Sequence, residues 1–185
     1  MIASCQDLAK SEPEQKALVR EQLGQLEILV SRMRDLVNAP RRHHSLIHRR
    51  NDFLLVCSAM DMLDDTIMAL GSYVENDHDD QGQAYLEIFG VLQALTVQQD
   101  AVRQIHRVLR GTCLDLEAAS ADVKEIRDIR VRVAGHPVGG KASSHFLTRY
   151  TVSKKGFEFW AYDQSGGRTV AEMDLFDLVT RNSVA

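Results

Sequence analysis

Glu125-Ile-Arg-Asp-Ile-Arg-Val-Arg-Val-Ala-Gly-His-Pro137 is the stretch on which the fold reading of this chain turns. Val123, Ile126, Arg130 and Val133 follow one another at intervals of three, four and three residues, so on a helix they share one face. Arg130 therefore stands in an otherwise apolar stripe. Gly135 suits the position just past a helix end, and Pro137 pushes His136 out of helical dihedrals. The spacing predicts a helix that stops at Gly135-His136-Pro137, with an arginine on its inward face and a histidine on the closing turn. Ser120 can cap this helix, and Asp122 suits the positive end of its dipole.

Helical periodicity extends back from this stretch nearly to the N-terminus. Residues 1–10 are expected to be frayed. Ser11-Glu-Pro-Glu14 has the form of a capping box, with proline tolerated in the first turn. The helix it opens runs to about Asn38, with Leu18, Gln22, Leu26, Leu29, Met33 and Leu36 close to one stripe, and Ala39-Pro40 ends it. Residues 41–50 are a basic connector. Its His44 and His48 have the spacing of metal ligands, but no Asp, Glu or Cys in the run completes a set. A second helix covers about 51–74, with Phe53, Val56, Met60, Leu63, Ile67 and Leu70 inward. A third covers about 83–110, with an apolar face of Leu86, Phe89, Val91, Leu92, Leu95, Val102, Ile105 and Leu109. Gln98, Gln99 and Asp100 interrupt it. If they are buried they must find partners, and Arg130 is a candidate partner for Asp100. Gly111 ends the helix. The acidic loop Glu75-Asn-Asp-His-Asp-Asp-Gln-Gly82 falls short of an EF-hand, because position 12 counted from Asp77 is Ile88 rather than Glu.

Downstream of Pro137 the period changes from helical to alternating. Phe146, Thr148, Tyr150 and Val152 alternate with Leu147, Arg149 and Thr151, which predicts a strand. Ser153-Lys-Lys-Gly156 is the expected hairpin loop, with the glycine free to take positive φ, and Phe157 to Tyr162 is the return strand. Arg168 to Val170 can add a short strand, and 174–180 reads as a short amphipathic helix. The expected fold is mainly α: an antiparallel helical bundle over 1–140, and a C-terminal β-hairpin with a short terminal helix over 141–185, packed on the bundle rather than independent.

The motif stretch resembles the HEPN proteins, whose signature is an arginine and, four to six residues on, a histidine; Arg130 and His136 fit, whereas Arg132 is too close to the histidine and Arg127 too far. Ile126-Arg-Asp-Ile-Arg130 followed by Gly135-His136-Pro137 is similar to an uncharacterised bacterial HEPN-like group, and Tyr85–Asp100 looks like the long helix that precedes the motif there. The resemblance spans roughly residues 50 to 180. It implies a HEPN-like bundle that binds or cleaves RNA without a metal or other cofactor, with Arg130 and His136 as the catalytic pair and Arg127, Arg132 and Asp100 as supporting binding residues. It also implies a homodimer that brings two motifs to one cleft, an RNA partner, and a toxin–antitoxin or defence setting with an antitoxin-like protein partner. In two respects the chain departs from the family. The asparagine that usually follows the arginine is Val131, and the tyrosine two residues past the histidine in tyrosine-modified toxins is Val138. A metal-independent endoribonuclease and a non-catalytic helical module for protein or nucleotide binding both stay open.

The chemistry suits the first reading. Histidine titrates near neutrality and can move protons, and arginine stays charged and grips phosphate in bidentate fashion. One Arg and one His do not make an acid/base pair, which is why the cleft needs two subunits. A net charge of −4 argues against a generally basic nucleic-acid coat. Residues 120–160 nevertheless carry eight Lys/Arg against four Asp/Glu, so the motif segment is the friendlier side for a phosphate. Three scattered cysteines suggest neither zinc nor a disulfide framework and point to a reducing compartment. With no leader-like N-terminus and no apolar run of ~18 residues, the expectation is a soluble, cytoplasmic chain without membrane contact.

Overall fold

The computed structural model describes residues 11–39, 47, 49–135, 143–163 and 165–184. Helix α1 spans Glu12–Asn38, α2 Arg50–Glu75 and α3 Gln81–Arg110. A short α4, Leu116–Ala119, precedes α5, Ala121–Arg130, which runs on into a π-helical turn at Val131–Gly135. Three strands follow, β1 (Ser143–Leu147), β2 (Gly156–Asp163) and β3 (Arg168–Asp174), and then α6, Leu175–Val184. Among the described residues no strand occurs before Ser143.

Local chemistry sets the helix ends. The Glu14 carboxylate accepts from the Ser11 backbone N–H at 2.8 Å, the return arm of the expected capping box. Asp80 accepts from Gln83 N at 2.7 Å, and Ser120 Oγ from Val123 N at 3.3 Å. Gly111 takes φ +70°, the left-handed conformation that closes α3. The long helices pack antiparallel. Arg20 pairs with Glu75 and Arg34 with Asp61, so α1 and α2 run in opposite senses. Arg127 meets Asp100, and Arg130 meets Gln93, so α5 runs against α3.

α1 presents a different stripe from the predicted one. Val19, Leu23, Val30 and Val37 are buried, with Leu26 and Met33 packed beside them. Leu29 and Leu36, expected inward, are exposed. Two apolar stripes overlap on this helix about one position apart, and the one rich in valine faces α2. On α3, Val91, Leu92, Leu95 and Ile105 are buried as expected and are joined by Ala84 and Ile88, whereas Leu86, Phe89, Val102 and Leu109 are exposed.

The predicted hairpin is a three-stranded antiparallel sheet of order β1-β2-β3. Its first strand stops at Leu147, because Thr151 N and Oγ1 both bond Thr148 O and wind Arg149–Thr151 into a 3-10 turn. Gly156 does not take positive φ. It is glycine because a Cβ there would stand 1.9 Å from Met173 O of β3. One face of the sheet, through Phe157 and Phe159, joins a core with Val19, Leu70, Ile88 and Ile126, and Leu175, Phe176, Leu178 and Val179 of α6 complete that core.

The acidic loop before α3 is tied to α1 and to the β1–β2 connection by lysines. Asp77 accepts from Lys16 at 2.7 Å and from Lys154 at 2.9 Å, and those two ammonium groups hold its carboxyl down at about 2. His78 Nε2 stands 2.8 Å from Glu87 Oε2. Among the described residues no group of three or more His, Cys, Asp or Glu side chains could hold a metal ion, and no helix is long and apolar enough to cross a membrane. Cys57 and Cys113 are free thiols.

Candidate nucleic-acid interface

α5 carries its arginines on different faces, and the faces give them different partners. Val123, Ile126 and Ile129 are buried against the bundle, and Val133 continues that face into the π-helical turn. Arg127 is locked. Its Nη2 donates to Asp100 Oδ1 at 2.5 Å, its Nε to Glu117 Oε1 at 3.2 Å, and its Nη1 reaches Gln99 Oε1 at 3.5 Å. Asp100 is exposed and also takes Arg103 at 3.0 Å. The carboxylate suggested as a partner for Arg130 thus belongs to Arg127 and Arg103 instead, because α5 meets α3 one turn further from the motif than the stripe alone shows.

Arg130 is half-buried, and its only hydrogen-bond partner among the described residues is neutral. Nε and Nη2 both donate to the single oxygen Gln93 Oε1, at 3.3 and 3.0 Å. The amide aims the guanidinium without cancelling its charge, and Nη1 has no hydrogen-bond partner among the described residues. Val131, the next residue, is exposed. His136 and residues 137–142 lie outside the described residues, as do Cys5 and most of residues 41–50, including His44 and His48.

Arg132 points to a second place. It lines a groove of about 360 Å³ between the π-helical turn and the edge strand β1, together with Phe89, Val133, His145 and Phe146. π-helical turns of this sort are frequent at functional sites. Burial, and secondarily the charge of Arg132, hold His145 below the ordinary histidine value. Sequence spacing could not pair Arg132 with His145, since one lies in a π-helical turn and the other on a strand.

The groove runs on into a wider hollow of about 700 Å³ across the outward face of the sheet, sharing Ser144, Phe146 and Leu147 with it. Phe146, Trp160 and Val170 lie in register across the three strands, and Ser144, Tyr162 and Arg168 form the neighbouring row. Phe146 meets Tyr162 edge-on at 5.9 Å between ring centroids, and the Arg168 guanidinium lies 4.7 Å above the Trp160 ring. Tyr150, on the 3-10 turn, is 95% exposed at the rim beside Arg149. Alternation in the sequence places these rings on one strand face, but only the third strand shows that the face is left outward.

No family model, curated protein or solved structure matches this chain.

Proposed function

We propose that this chain is a HEPN-like RNA-binding protein that takes the phosphate backbone at the arginine end of α5, and that cleavage, where it occurs, uses Arg130 and His136 from two subunits at one cleft. The observation that carries the reading is the contrast within α5. Arg127 is neutralised by two carboxylates, whereas Arg130 is oriented by a neutral amide and keeps its charge for an anion. The sequence resemblance supplies the rest: the Arg130/His136 spacing, the homodimer, and a toxin–antitoxin or defence setting inside the cell.

In the cleaving form a ribose 2′-hydroxyl, deprotonated by one histidine, attacks the adjacent phosphorus. The 5′-oxygen leaves with a proton from the other histidine, and Arg130 offsets the charge gathering on the phosphoryl oxygens. No step calls for a metal. Val131 favours binding over cleavage, because an exposed apolar side chain stands where the family's active members place a polar one.

The test uses RNA with the wild-type chain, Arg130→Gln and His136→Ala, with a chelator throughout. The reading expects Arg130→Gln to lose most RNA affinity at unchanged melting temperature. It expects His136→Ala to abolish cleavage, if the wild type cleaves, without abolishing binding. A wild type that binds no RNA, and instead captures a protein or a free nucleotide through the same residues, establishes the non-catalytic alternative.

A further inference from the structure

We propose that the outward face of the three-stranded sheet is a stacking platform for single-stranded RNA. The proposal takes its class of partner from the RNA reading above and shares with that reading only Arg132, in the adjoining groove. Phe146 is 58% exposed and Tyr150 95%. These are large apolar rings that folding leaves in water, and with Trp160 and Tyr162 they make one continuous surface rather than scattered singles.

Charge selects the occupant. Neither the hollow nor the adjoining groove is lined by an acidic residue among those described, and Arg149 and Arg132 lie along them. Arg168 covers one end of the platform by stacking on Trp160. The acidic residues of this sheet face, Glu158 in register with Glu172 and then Asp174 opposite Gly156, lie on the side of Trp160 away from Tyr162 and Arg168 and line neither the hollow nor the groove. Rings that offer flat faces, bordered by arginines that can take phosphates, fit the chemistry by which single strands bind without sequence preference. The chain as a whole is acidic at −4, so no general electrostatic coat holds a strand on this face, and the rings must supply contact that the bordering arginines alone do not. A duplex hides its base faces and would not be held.

The chain has a single tryptophan, so Trp160 reports on this face alone. The probe is a labelled oligouridylate of about ten nucleotides, the length one small platform covers. It is titrated into the full-length wild type, Phe146→Ala, Tyr150→Ala and Arg130→Gln, with anisotropy and Trp160 emission read together. Binding is expected to quench Trp160. Each ring variant is expected to lose roughly tenfold in affinity with its melting curve unchanged. Three phosphate contacts give a log–log salt slope of about −2.

Loss of binding in Arg130→Gln, with full affinity in both ring variants and no quenching, overturns the platform and leaves the RNA reading standing. Full affinity in Arg130→Gln with quenching intact supports the platform and sinks the Arg130 reading. No binding by the wild type removes both. Equal affinity for a duplex overturns stacking. So do ring variants that break a dimer in light scattering while leaving RNA affinity untouched, which would make this face a self-association surface. Quenching in the unmutated chain does not depend on any variant folding.

Discussion

Arg127 and Arg130 are one helical turn apart and differ in what their loss should do. Removing the Arg127 side chain takes the shared donor from Asp100, Glu117 and Gln99, although Asp100 keeps Arg103 at 3.0 Å. Those carboxylates are about half exposed, so the cost is about 1–2 kcal/mol rather than that of a buried ion pair. Arg127→Ala should therefore lower the melting temperature by roughly 2–8 °C, read by calorimetry. Arg130→Gln, which gives up only bonds to an exposed amide, should stay within about 0.5 kcal/mol of wild type. Equal losses in the two would mean that Arg130 is structural as well. The sequence stripe places Arg130 on the inward face, but the division of labour between the arginines depends on residues of α3 and α4 and was not legible. His145 makes a pH-dependent contribution. Folding depresses its pKa, so the folded state binds fewer protons than the unfolded state, and stability falls as pH drops through the ordinary histidine value near ~6.5. The melting temperature of the wild type should thus decline more between about pH 7 and about pH 5.5 than that of His145→Asn. Identical slopes would show that another of the seven histidines sets the decline.

At the scale of elements, β2 meets β3 closely at Gly156, whose backbone lies so near Met173 O that no side chain fits between them. Gly156→Ala must push two strand backbones apart, and overpacking of that kind costs about 1–3 kcal/mol. Because Gly156 opens β2, the damage should concentrate where the sheet turns into α6. Amide exchange should accelerate first at Leu175 N, which donates to Lys155 O at 2.8 Å. A Gly156→Ala chain with wild-type stability and exchange would show that the strand ends yield freely. The glycine was legible in the sequence as a turn signal but for the wrong reason, since the reading allotted it positive φ and the structure requires only its small size. The first strand is shorter than its alternation predicts. Alternation through Tyr150 and Val152 continues the pattern of Phe146, but the Thr151 hydroxyl bonds Thr148 O and the chain turns instead. The long helices were legible in place and length, because caps and periodicity are local. The rotation of α1 was not, since two overlapping stripes are decided only by what packs against them.

Across the whole molecule, the last ten helical residues hold together parts far apart in sequence. Gln98 and Gln99 are buried in the middle of α3, where the sequence raised the question of their partners. The answer comes from 84 and 83 residues downstream: Asn182 Nδ2 donates to Gln98 Oε1 at 2.9 Å, and Asn182 Oδ1 accepts from Gln99 Nε2 at 2.8 Å. Arg181 adds pairs to Asp122 and Glu125 on α5, and Gln15 of α1 donates to Asp174 at 3.0 Å. Leu175, Phe176, Leu178 and Val179 are all essentially without solvent contact, and burying each stabilises by about 1.5–3 kcal/mol. Together that is of the order of a domain's entire net stability. The helical bundle and the C-terminal segment therefore share one core. A chain ending at Asp174 should not melt as a smaller stable bundle. It should keep helical circular dichroism at best, bind a hydrophobic dye, and show no cooperative transition. A cooperative transition near the wild-type temperature in the truncated chain would establish residues 11–135 as an independent domain, and α6 would then be an accessory rather than the closing element of the core. Asn182→Ala offers a graded version of the same test. It leaves the apolar contacts in place and strands two glutamines, so it should cost about 2 kcal/mol while the transition stays cooperative.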